Sequence, residues 1–156
     1  MCIRDSDNPV PVTMQTFGIL LVGGLYGPRL TMLSIFSYML IGIIGVPVFQ
    51  GHSGGIDYFF GVTGGYLLGF IFASVVISVL SNTGFNKGLS IWAMIIGNIF
   101  IYVPALIWLS IYDFGWPENG KLFSQAVYPF LIGDFIKLIL ASLSVNILWK
   151  LSKKNN

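Results

Sequence analysis

The chain alternates between long apolar runs and short connections that are polar or rich in glycine. Five apolar segments stand out, at residues 12–27, 30–49, 65–81, 89–112 and 128–149. Each is close to the ~20 residues that a helix needs to cross the hydrocarbon core of a bilayer. The pattern predicts an all-α, polytopic membrane helix bundle with five transmembrane helices.

Composition supports this interpretation. Of the 156 residues, 55% are hydrophobic and 9% are charged, and the mean hydropathy is +0.83. Soluble domains carry about 25% charged residues, so a water-soluble fold is excluded. We expect membrane lipid, and not nucleic acid, to surround or contact the chain.

The ends of the chain frame a single domain. Residues 1–8 are polar and lack the basic-then-apolar order of a signal peptide, so we interpret them as a tail. Our hypothesis is that this tail is not native to the protein. Residues 9–151 form one transmembrane domain. Residues 152–156 form a basic tail that we place in the cytoplasm.

Two opposite charges interrupt the last apolar segment. Asp134 and Lys137 lie three residues apart, a spacing that puts both side chains on one face of a helix. Ionisable residues inside a membrane segment usually face a bundle interior or a wet cavity and mark a substrate or ion path. We interpret this pair as the floor of a binding site. The alternative is that the two charges neutralise one another and pin neighbouring helices without any ligand.

Charges in the connections orient the bundle. If all five segments span, one side collects Arg29, Lys87, Lys150, Lys153 and Lys154 without an acidic residue. The other side collects the acidic residues Asp5, Asp7, Asp57, Asp113 and Glu118, with Arg4, Lys121 and His52 as counterweights. Because positive loops stay inside, we expect a multi-pass plasma-membrane protein with a cytoplasmic C-terminus and a site open to the outside. An outer N-terminus and an odd number of spans lead to the hypothesis that a preceding helix is missing from this sequence.

Residues 50–64 form a connection rich in glycine and aromatic residues on the outer side. Glycine lets the backbone adopt positive φ and approach a ligand closely, so a lid or re-entrant turn is predicted over a pocket. A flexible hairpin with incidental glycines is the alternative.

Small residues recur every four positions after this connection, at Gly61, Gly65, Gly69 and Ala73. Such a stripe lets helices pack closely in lipid, and we favour this structural role over ligand contact. In the fourth segment, Asn98 needs a hydrogen-bond partner in lipid, either on another helix or on a ligand.

Catalytic and metal chemistry find no support in the sequence. Cys2 is the single cysteine, so an internal disulfide and a cysteine-based metal site are excluded. His52 and the scattered carboxylates show no metal-ligand spacing. No Walker motif occurs, so the chain cannot power transport itself. We predict no enzyme, no metal site and no cofactor.

Several motifs, in order, resemble the BioY family, the biotin-binding substrate-specificity subunits of energy-coupling-factor (ECF) transporters. They are PVPVTMQT (9–16), GPR (27–29), GVPVF (45–49), SGG (53–55), GVTGGYLLGF (61–70) and PFLIGDFIK (129–137). The resemblance implies a six-helix membrane protein that captures biotin from outside. It also implies two kinds of partner, a transmembrane coupling subunit and a pair of cytoplasmic ABC-type ATPases. The family's first helix has no counterpart that we recognise before Pro9, so we expect the chain to be a fragment, in agreement with the charge argument.

The resemblance also implies site residues. Asp134 and Lys137 match the acidic and basic pair of the family's last helix, and Thr63, Gly64, Gly65 and Tyr66 match its loop-to-helix motif. Val62 replaces the usual proline of that motif. Phe49, Phe59 and Phe60 are candidates for apolar walls, and Asn98 for a polar contact. A subunit for another vitamin, and a channel or structural protein with a purely structural ion pair, are the alternative functions.

Overall fold

The computed structural model describes residue 10 and residues 13–83, 91–112, 114–118 and 120–154. Across these residues the chain forms seven helices. They are α1 (Gln15–Leu25), α2 (Pro28–Ile43), α3 (Ile56–Phe59), α4 (Gly64–Asn82), α5 (Ile91–Ile111), α6 (Leu122–Ala126) and α7 (Tyr128–Lys154).

The five predicted segments correspond to α1, α2, α4, α5 and α7, which confirms an all-helical fold. By length and composition, α4, α5 and the stretch Leu122–Leu151 can each cross a membrane. Helices α1 and α2 are apolar but shorter, at 11 and 16 residues. The predicted tail at residues 1–8, the predicted starts at Val12 and Leu89, and the charges Lys87 and Asp113 lie outside the described residues.

Helix α2 ends before the predicted end of its segment. Gly45 has a φ of +111°, a left-handed conformation that glycine adopts readily and that stops the helix. Pro47 then keeps the backbone extended. Phe49 pairs with Ser53 in an isolated antiparallel bridge, so this part of the predicted span is a compact loop.

Helices α4 and α5 form the most extensive helix pair of the described structure, and glycines line their contact. A Cβ atom at Gly69 would overlap the carbonyl of Ile101, and one at Gly65 would lie 2.8 Å from the Cα of Ala105. Backbones this close gain dispersion energy without a hydrophobic driving force. The predicted packing role of the small-residue stripe is confirmed for these two positions.

The helices alternate in direction, so several of their ends meet on one side of the bundle. The start of α1, the start of α4, the first turns of α7 and the second half of α5 surround one cavity there. The opposite side holds a buried polar joint. Ser78 Oγ donates to the carbonyl of Tyr26 at 2.7 Å, and Thr31 Oγ1 lies 3.3 Å from Ser78 Oγ. This joint ties the α1–α2 turn to α4.

Candidate functional site

A partly enclosed cavity lies among α1, α4, α5, α7 and the loop that precedes α4. The space within it, counting its opening to solvent, is about 530 Å³. Its wall contains apolar, aromatic and polar side chains. They are Val10, Thr13, Gln15, Thr16, Gln50, Tyr58, Thr63, Tyr66, Leu67, Phe70, Ile101, Tyr102, Phe130, Asp134 and Lys137.

The charged pair of α7 forms part of this wall. Lys137 Nζ lies 3.1 Å from Asp134 Oδ1, and the two residues are 7% and 4% exposed. Charges this deeply buried are costly unless they are paired and hydrogen-bonded. Both side chains nevertheless line the cavity, so the buried pair is part of its wall.

The ion pair lies within one helix, because both residues belong to α7. It therefore forms no salt bridge between helices. The link to a neighbouring helix is made by Tyr102 of α5, whose hydroxyl donates to Asp134 Oδ2 at 2.5 Å. The Asp134 carboxylate thus links α7 to α5 through this bond, and a structural role of the pair without a ligand stays the alternative.

Helix α1 contributes a fixed amide to the wall. Gln15 Oε1 accepts a hydrogen bond from Thr13 Oγ1 at 3.1 Å, and its Nε2 donates to Tyr38 Oη at 2.6 Å. Tyr38 Oη in turn donates to the carbonyl of Val48 at 3.3 Å. This relay holds one orientation of the Gln15 amide and ties α1 to α2 and to the loop that follows.

The loop that was predicted as a lid supplies one side of the cavity. Gln50, Tyr58 and Thr63 all line it, and Tyr58 Oη donates to Gln50 Oε1 at 3.3 Å. The loop is held to α2 by Phe49, whose ring fills the space above Gly42, where a Cβ atom would overlap it.

Four of the predicted site residues meet at the cavity: Asp134, Lys137, Thr63 and Tyr66. The Tyr66 hydroxyl donates to the carbonyl of Ala126 at 2.7 Å, which ties α4 to α6 behind the wall.

Gly64 and Gly65 lie outside the lining. A Cβ atom at Gly64 would overlap the carbonyl of Phe59, and one at Gly65 would lie 2.5 Å from the Cβ of Trp108. These two glycines therefore let the start of α4 pack closely against its neighbours.

Phe49 and Asn98 also lie outside the lining. Phe49 is 3% exposed and its ring stacks on Tyr58 at 5.3 Å between centroids, so it supports the loop. Asn98 Oδ1 is buried and has no hydrogen-bond partner among the described residues. Phe59 packs against the core, and Phe60 is exposed beside Trp108.

Sequence reasoning missed Tyr102, Gln15, Gln50 and Tyr58. For Tyr102 a signal existed, because tyrosine is enriched at the ends of membrane helices and this one stands near the middle of α5. Gln15 lies near the start of the first apolar segment, beside Thr13 and Thr16, and nothing in that pattern marks it as a site residue. The positions of Gln50 and Tyr58 depend on the fold of a loop that carries no periodic pattern.

Comparison with known proteins identifies the family of the chain. The family model described as "BioY family" matches residues 3–154. A "Probable biotin transporter BioY" from Pyrococcus horikoshii is 36% identical over 136 residues, which cover 86% of this chain and 78% of that protein. A "Biotin transporter BioY" from Thermotoga maritima is 33% identical over 136 residues, covering 87% and 79% of the two chains.

A solved structure has the same fold. It is the crystal structure of the S-component for biotin from an ECF-type ABC transporter, with a TM-score of 0.83 and 32% identity. The alignment covers 96% of this chain and 80% of that one. Sequence, family model and fold agree with the resemblance that the motifs gave, and the chain belongs to the BioY family.

Proposed function

We propose that this chain is the biotin-binding membrane subunit of an ECF-type vitamin importer. The observation that carries the proposal is the Asp134–Lys137 pair, which is buried in an apolar helix and yet lines a cavity. The family, the named biotin transporters and the biotin S-component with the same fold support biotin as the ligand.

The cavity wall matches the chemistry of biotin. The ureido group of biotin has two N–H donors and a carbonyl acceptor, and its fused rings and aliphatic chain are apolar. Asp134 supplies acceptors and Lys137 supplies donors, while Leu67, Phe70 and Phe130 supply apolar surface. Small-molecule sites commonly combine such a wall with few placed polar groups.

The charge distribution supports an outward-facing cavity and a cytoplasmic C-terminus. Arg29 and Lys150 are exposed on the side opposite the cavity, and Asp57 is exposed on the cavity side. By the positive-inside rule the basic side faces the cytoplasm. Biotin would enter from outside, and a separate coupling subunit with two cytoplasmic ATPases would supply the energy, because the chain carries no Walker motif.

The proposal is tested by equilibrium binding of biotin to the purified protein in detergent or nanodiscs. We expect saturable binding and a rise in melting temperature, since a ligand that binds only the native state stabilises it. A panel of other vitamins is measured in parallel. Stabilisation by a different vitamin would replace biotin as the ligand, and no stabilisation by any of them would favour a channel or structural protein.

A further inference from the structure

Tyr102 is the residue of α5 that reaches the charged pair. Its hydroxyl donates to Asp134 Oδ2 at 2.5 Å, while Lys137 holds the other carboxylate oxygen, Oδ1, at 3.1 Å. Tyr102 is 8% exposed and lines the same cavity as both charges. Each oxygen of the carboxylate thus has its own donor, Lys137 on α7 and Tyr102 on α5.

This arrangement leaves hydrogen-bonding capacity for a ligand. A carboxylate has about four acceptor positions and an ammonium group has three donors. Tyr102 and Lys137 occupy one position each on Asp134, and Lys137 spends one donor on it. No further partner of these groups occurs among the described residues, so acceptor positions of Asp134 and donors of Lys137 remain next to one another at the cavity.

The hydroxyl of Tyr102 is separable from its ring. The ring packs edge-on against Tyr66, with centroids 6.4 Å apart, and phenylalanine would keep this contact. Without the hydroxyl, the Asp134 carboxylate would lose the bond that fixes the orientation of Oδ2. A ligand would then have to order the carboxylate on binding, which costs affinity.

We propose that Tyr102 is a positioning residue that holds the Asp134 carboxylate in the orientation in which it accepts an N–H group of the ligand beside the ammonium of Lys137. The inference rests on the proposed function and deepens it, because it names a residue of α5 that helps to orient the ureido ring of biotin. The class of ligand favoured is one that carries an N–H donor next to a carbonyl acceptor.

The first test compares Tyr102→Phe with Tyr112→Phe by equilibrium binding of biotin. Tyr112 directly follows the last residue of α5, is exposed and does not line the cavity. We expect the dissociation constant to rise about tenfold or more for Tyr102→Phe, the size expected for a hydrogen bond to a charged group. Tyr112→Phe should match the unmodified protein. Equal affinity of the two variants would overturn the inference.

A second measurement separates positioning from a general structural role. If Tyr102 acts through Asp134, adding Tyr102→Phe to Asp134→Asn should weaken binding no further, whereas independent effects would add. If Asp134→Asn binds biotin too weakly to measure, the same question is asked with biotin methylated on one or the other ureido nitrogen, because methylation removes the N–H group that Asp134 would accept. For at least one of the two methylated forms, the loss of affinity caused by methylation should be smaller in Tyr102→Phe than in the unmodified protein.

The outcomes also separate this inference from the proposed function. The role of Tyr102 alone would be overturned if the unmodified protein binds biotin but the affinity losses of Tyr102→Phe and Asp134→Asn are additive. The same holds if methylation of biotin lowers the affinity equally in Tyr102→Phe and in the unmodified protein. Absence of biotin binding by the unmodified protein would overturn both.

Discussion

Gln15 and Tyr38 are joined by a hydrogen bond of 2.6 Å, from the Nε2 atom of the first residue of α1 to the hydroxyl of a residue in α2. The bond orients an amide that lines the cavity, and the same tyrosine hydroxyl donates to Val48 in the loop after α2. A side chain outside the cavity thus controls the polar surface presented inside it.

Tyr38→Phe is therefore expected to weaken biotin binding although Tyr38 is not part of the lining. The variant loses two hydrogen bonds, one from Gln15 and one to Val48. The bond that orients the Gln15 amide is worth about 1 kcal/mol, which corresponds to an increase of about fivefold in the dissociation constant. Titration calorimetry measures the effect. Tyr26→Phe is the control, because Tyr26 is exposed on the far side of the bundle. Equal affinity of the two variants would show that the relay does not reach the ligand.

Asp134→Asn is expected to lower biotin affinity at least about tenfold, because a charged acceptor is lost. It should also lower the melting temperature, since removing one partner of a buried ion pair costs about 3–5 kcal/mol. The double variant Asp134→Asn with Lys137→Met removes both charges. We expect it to regain thermal stability without regaining affinity. Full affinity in Asp134→Asn would remove this residue from the site.

The sequence located the charged pair because two ionisable residues in an apolar run are anomalous at any depth of a membrane helix. It did not locate Tyr102, because which turn of α5 faces Asp134 depends on how two helices pack, and that is set by contacts such as those at Gly65 and Gly69. Phe49 was expected as an apolar wall of the ligand site, and the turn at Gly45 directs it to the loop instead. Roles of these side chains in binding remain predictions.

The close contact between α4 and α5 predicts a sharp difference between two glycines. Gly69→Ala would overlap the backbone of Ile101, whereas a Cβ atom at Gly18 meets nothing within 4 Å. Overpacking in a tight interface costs about 1–3 kcal/mol, so Gly69→Ala should melt at a lower temperature in detergent. Gly18→Ala should not. Equal melting temperatures for the two variants would contradict the packing role of the stripe.

The polar joint on the far side predicts an effect on stability that leaves binding intact. Ser78→Ala removes the donor to the Tyr26 carbonyl, and we expect a loss of about 1 kcal/mol of stability with an unchanged dissociation constant for biotin. Ser110→Ala is the control, because Ser110 is exposed and bonds within its own helix. A changed affinity in Ser78→Ala would show that the two sides of the bundle are coupled.

Orientation is tested by labelling with a membrane-impermeant maleimide in intact cells, after the natural cysteine is removed by Cys2→Ser. We expect Asp57→Cys to react directly and Lys150→Cys to react only after the membrane is permeabilised. Both residues are exposed, so access to the reagent depends on the side of the membrane. The reverse pattern would place the cavity toward the cytoplasm.

Because Asp134 and Lys137 are carried by one helix, any tilt or shift of α7 displaces an anion and a cation together. A single lysine moved across the bilayer would exchange about 2.3 kcal/mol with each 100 mV of transmembrane voltage. For the pair these contributions cancel. Movement of both residues by the same distance across the bilayer is thus electrically silent, and the transmembrane voltage neither assists nor resists it through this pair.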